Sequence, residues 1–71
     1  MSFEEIFGLV RDGGKAARAG WNGKGMYIQA QYPDEGSQNT LPYLWLRTAQ
    51  GDRVPWTISQ TDIFAKDWEV V

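Results

Sequence analysis

The residues with the most chemical potential lie in two short stretches. The first, Ala19-Gly20-Trp21-Asn22-Gly23-Lys24-Gly25-Met26, sets a lysine between glycines beside an indole, and these are parts from which a phosphate cradle is built. A P-loop, however, needs its lysine followed by Ser or Thr and then a helix whose free N–H groups face the phosphates. Lys24 is followed instead by Gly25 and by a segment that alternates, with Met26, Ile28 and Ala30 on one side and Tyr27, Gln29 and Gln31 on the other. That period of two belongs to a strand. Any phosphate contact here comes from Lys24, Arg18 or turn amides, not from a helix terminus. Trp21 has two readings: a core residue, or the wall of a pocket with Arg18 and Lys24 near enough to meet phosphate.

The second stretch is Pro55-Trp56-Thr57-Ile58-Ser59-Gln60-Thr61-Asp62. Pro55 holds the chain extended and off a hydrogen-bonded ladder, and Trp56 is followed by a dense run of hydrogen-bonding side chains, more than a structural turn requires. A flat ring beside several donors and acceptors suits a site that stacks on a base and binds ribose; a half-buried core tryptophan fits the same residues.

Enzyme chemistry has little support. The chain has no His and no Cys, which removes the usual general bases, nucleophiles and thiolate metal ligands. Glu4-Glu5 and Asp34-Glu35 read as a helix start and a solvated loop, and Asp62 and Asp67 read as caps flanking a short turn. No catalytic residue, cofactor or metal is expected. A net charge of −2 argues against DNA or RNA, whose affinity rests on many cationic contacts to phosphate, but leaves room for a small charged ligand. No apolar run approaches a membrane span.

The elements that must position these stretches are those of one 71-residue domain, residues 1–71. A chain this short buries only about 60% of the surface its unfolded form exposes, so its core is thin. Yet aromatic residues make up 14% of it, with tryptophans at 21, 45, 56 and 68, a surplus that suits interfaces or stacking surfaces. Ser2 with Glu5 forms a capping-box pattern, and Phe3, Ile6, Phe7 and Val10 repeat at helical spacing until Gly13-Gly14. Lys15–Trp21 and Met26–Tyr32 read as strands joined through Asn22-Gly23 as a type I′ hairpin turn. Pro33–Thr40 is an exposed loop. A third strand follows Pro42, with Tyr43, Trp45 and Arg47 expected as an outward row; after a turn at Gln50-Gly51-Asp52, Val54–Thr57 forms a fourth strand on an edge. Ser59 caps a helical turn over Gln60–Lys66, and Asp67–Val71 forms the last strand. The expected fold is α+β: an N-terminal helix packed on a small twisted antiparallel sheet, with a short helical turn before the last strand.

The combination Arg18-x-Gly20-Trp21-Asn22-Gly23-Lys24-Gly25-Met26, then Pro55-Trp56-x-x-Ser59-Gln60-Thr61-Asp62, then Ala65-x-Asp67-Trp68 closely resembles the phage-encoded Thoeris anti-defence proteins of the second type. The likeness runs from the N-terminal helix to the last residues. It implies a small α+β homotetramer that acts as a sponge in the host bacterial cytoplasm. Such a protein binds the cyclic ADP-ribose isomer glyco-cyclic ADP-ribose without degrading it, so that the downstream effector stays inactive. Some relatives also hold cyclic oligonucleotides of the CBASS system at a separate site. The resemblance puts Trp21, Asn22, Met26, Trp56, Thr57, Ser59 and Asp62 in or beside the pocket. Trp56 or Trp21 would then stack on adenine, Thr57, Ser59 and Asp62 would bond ribose hydroxyls, and Arg18 or Lys24 would meet the pyrophosphate. One departure is the short loop Pro33–Pro42, which is longer in many relatives and would affect affinity or choice of nucleotide. The alternative from a different class is a phage structural or protein-interaction module that uses its surplus aromatics at a protein interface.

Overall fold

The computed structural model describes all residues from Met1 to Val71. Helix α1 spans Phe3–Arg11 and begins as its capping box requires. The Glu5 amide donates to Ser2 Oγ, and the Ser2 amide donates to Glu5 Oε1 at 3.0 Å. It ends at Asp12, and Gly13 follows with φ of 105°, a left-handed conformation open to glycine. The 3.6-residue period turns Ile6 and Val10 fully inward.

Five strands form one antiparallel sheet: β1 Ala16–Arg18, β2 Tyr27–Gln31, β3 Tyr43–Arg47, β4 Arg53–Pro55 and β5 Trp68–Val70, in the spatial order β4-β3-β2-β1-β5. A short helix, α2, spans Gln60–Phe64 before the last strand. The α+β architecture is thus the one expected from the sequence. The core lies between α1 and one sheet face, where Ile6, Val10, Ala16, Ile28 and Trp68 are closed to solvent and Phe3, Trp21, Leu44 and Trp56 pack around them.

Three sequence expectations need correction. No two-residue turn forms at Asn22-Gly23, because no residue other than glycine has positive φ and the positive value in this segment belongs to Gly25, at 76°. β1 ends at Arg18, whose side chain is bound by Asp67, as is the amide of Gly20 two residues on. β1 accordingly pairs along its length with β5, from Ala16↔Val70 to Arg18↔Trp68, and with β2 through Ala16↔Ile28. Tertiary bonds here outweigh the local preference of an Asn-Gly pair.

The second correction concerns Trp45. It lies on the sheet face away from α1, as the strand period requires, but the residue is only 5% exposed. Arg53 covers it with its guanidinium 4.4 Å from the ring centroid, and Tyr27 meets it edge-on at 5.6 Å. Third, α2 stops at Phe64 rather than Lys66, since Asp67 and Trp68 must already be extended to pair with β1. Pro55 does sit on an edge strand, paired on one side with Trp45, where its missing N–H costs no ladder bond.

Candidate functional site

The segment 19–26 and the end of β5 enclose an open cavity of about 320 Å³ lined by Ala17, Arg18, Ala19, Trp21, Asn22, Gly23, Lys24, Gly25, Met26, Glu69 and Val71. Five of the residues singled out from the sequence, Arg18, Trp21, Asn22, Lys24 and Met26, therefore meet at one place. Asn22 and Lys24 are exposed, while Trp21 and Met26 are half-buried. No carboxylate lies within ion-pair distance of Lys24, because both ion pairs of the chain are made by Arg18.

Arg18 is the hub of the site. It leaves β1 on the same sheet face as Trp68, and its guanidinium donates Nε to Asp67 Oδ1 at 2.7 Å, Nη1 to Asp62 Oδ1 at 2.8 Å and Nη2 to Asp67 Oδ2 at 3.4 Å. Asp67 also accepts the Gly20 amide at 2.9 Å, and Asp62 Oδ1 also accepts the Trp21 indole N–H at 3.3 Å. One arginine and two aspartates thus join β1, the cavity segment, α2 and β5.

The electrostatics follow from the contacts. Asp67 and then Asp62 hold the Arg18 pKa above its ordinary value. Burial pushes the Asp62 carboxyl up, but the bonds from Arg18, Ser59 and Trp21 outweigh it and leave it below the usual carboxylate range. Arg18 and the Gly20 amide hold Asp67 below that range as well, against a smaller effect of burial. With its donors facing two carboxylates, Arg18 acts first as a brace for Trp21 and the segment after it. Lys24 is the cavity's cation with no carboxylate beside it.

The other four residues, Trp56, Thr57, Ser59 and Asp62, gather around α2 and do not line this cavity. Ser59 Oγ accepts the Asp62 amide at 3.1 Å as an N-cap, and the Asp62 carbonyl accepts the Trp68 indole N–H at 2.9 Å. Trp56 is half-buried among rings, edge-on to Trp21 at 6.4 Å and to Trp68 at 6.1 Å between centroids. Thr57 is exposed. Trp21 connects the two groups, touching Trp56 and Asp62 while lining the cavity.

Asp67 and Glu69 are the residues that sequence reasoning missed here. Asp67 is not a cap but the main partner of Arg18. The signal was available only through topology, since pairing β5 against β1 puts Trp68 opposite Arg18 and brings the preceding Asp67 to the guanidinium.

The model of a family described as the Thoeris anti-defense 2-like domain matches residues 1–71. A protein named Thoeris anti-defense 2, from Bacillus phage SP01, is 31% identical over 84 residues, covering 100% of this chain and 94% of the phage protein. A match over the whole chain supports a phage anti-Thoeris role. The chain belongs to the Thoeris anti-defense 2-like family.

Proposed function

We propose that this protein binds and sequesters a cyclic nucleotide immune signal, in the first place glyco-cyclic ADP-ribose of the Thoeris system, without degrading it. The observation that carries the proposal is the cavity that gathers Arg18, Trp21, Asn22, Lys24 and Met26. Trp21 offers an aromatic surface for the base, Lys24 a free cation for the pyrophosphate, and Asn22 a donor and acceptor for ribose. Trp56, Thr57, Ser59 and Asp62 border the same ligand on the side where Trp21 reaches α2. At about 320 Å³ the cavity is at the low end of the roughly 300–1,000 Å³ range of small-molecule sites. One chain therefore encloses part of a dinucleotide-sized ligand, and a second copy in a homotetramer covers the open side.

Retention without turnover fits the same residues. A general base works best with a pKa near the operating pH, whereas Asp62 and Asp67 are held below the usual carboxylate range. Neither is poised to take a proton.

Titration calorimetry with glyco-cyclic ADP-ribose, and with a panel of cyclic dinucleotides and trinucleotides of the CBASS type, tests the reading. Saturable binding of one of these is expected. Lys24→Gln, an exposed substitution that leaves the fold intact, weakens it and flattens its salt dependence. No heat from any nucleotide would refute the proposal and favour a protein partner.

A further inference from the structure

We infer that Arg47, on the strand beyond the cavity, is a positioning residue that sets the cavity's shape by gripping the backbone of Gly25. The inference rests on the reading of that cavity as the ligand site. Residues 22–26 form one wall and carry Asn22, Lys24 and Met26, yet a single hydrogen bond holds them, from Arg47 Nη1 to the Gly25 carbonyl at 2.9 Å. The same Nη1 reaches the Thr48 carbonyl at 3.4 Å, so the guanidinium ties the wall to the turn that joins β3 to β4.

Close contacts of the two glycines support the brace. A Cβ on Gly25 would stand 2.8 Å from Arg47 Nη1, and Gly25 has the positive φ that side chains disfavour. A Cβ on Gly23 would stand 2.9 Å from the Ala49 Cβ and would collide with the Met26 sulphur. The wall therefore lies flat against the β3–β4 turn, with glycine wherever the approach is tightest.

The charge of Arg47 points the same way. No carboxylate lies within ion-pair distance of it, and its cross-strand partners are Tyr27 on β2 and another cation, Arg53, on β4. Like charges directly opposite on adjacent strands are destabilising. Charge pairing within the sheet thus gives no reason for an arginine here, whereas an Nη1 that reaches two carbonyls does. Arg53 leans onto Trp45, leaving Arg47 directed at the wall.

The test combines backbone amide NMR order parameters without ligand and nucleotide affinity, on the wild type, Arg47→Gln and Arg47→Lys. Arg47→Gln removes the repulsion with Arg53, so the core stays folded. Order parameters at Gly25 and Met26 are expected to fall, with those of Ile28 and Trp68 unchanged, and affinity for the bound cyclic nucleotide is expected to fall about tenfold, as loss of a charge-assisted hydrogen bond implies. Arg47→Lys keeps the charge, but its shorter stem stops the ammonium short of the Gly25 carbonyl, and it restores neither. Unchanged order parameters at Gly25 and Met26 in Arg47→Gln would overturn the inference, as would lower ones with unchanged affinity, or full rescue by Arg47→Lys. If the wild type binds no cyclic nucleotide, the reading of the cavity fails, and the order parameters alone then decide whether Arg47 holds the wall.

Discussion

Arg18 is the residue on which the site turns, and its two aspartates make a prediction about acid. The Arg18 and Asp62 side chains are 18% and 15% exposed, enough shielding for the pair to differ from an open surface bridge. Asp62 and Asp67 both have folded pKa values below their ordinary ones. A depressed carboxyl contributes stability that is present above its unfolded pKa, near 4, and is lost as pH falls through the lower folded value. The melting temperature is therefore expected to be flat from neutral pH to about pH 5 and to fall steeply below about pH 4. Asp67→Asn should melt lower at neutral pH and show a shallower acid limb; an acid limb identical to that of the wild type would remove Asp67 from the account. This hub was half legible. Sequence reading singled out Arg18 and Asp62 but gave Asp67 a capping role, because only the folded sheet brings residues 49 positions apart together.

Elements specified by local chemistry were read correctly, and those decided by distant bonds were not. The capping box at Ser2 and Glu5, the apolar period of α1, the Ser59 cap and the edge position of Pro55 each depend on neighbours within a few residues. The Asn22-Gly23 pair carries an equally strong local signal for a tight hairpin, but the Asp67 bonds pull the chain away from β2 before the turn can close. Arg47 had no local signal at all, since its partner Gly25 lies on a different strand connection. At this scale the Ser59 cap offers a quantitative check. Ser59→Ala leaves the Asp62 amide without its acceptor and should cost about 1 kcal/mol in chemical denaturation. Because Asp62 also accepts from Trp68 and Arg18, the Trp emission should shift as α2 loosens. A variant with wild-type stability and emission would show that α2 is held by packing alone.

For the whole molecule, the small core and the open edges are two aspects of one problem. Five residues form the closed core, β4 and β5 are both edge strands, and Phe64 on α2 is 79% exposed. Association between copies buries such surfaces, and closed symmetric assemblies are its usual form. Trp45, expected from the sequence on an outward row, is already covered within the chain, so Phe64 is the better place to test assembly. Light scattering at micromolar concentration should give about four times the monomer mass, and Phe64→Glu should lower it; a monomeric wild type that binds its nucleotide tightly would dispense with the shared site. The central claim is capture of a signal without its destruction. The most direct measurement is to incubate glyco-cyclic ADP-ribose with excess protein, denature the protein by heat and assay the released nucleotide by chromatography and by activation of the Thoeris effector. The account predicts no free signal before heating and full recovery of intact, active signal afterwards; a linear or otherwise altered product, or free signal before heating, would contradict it.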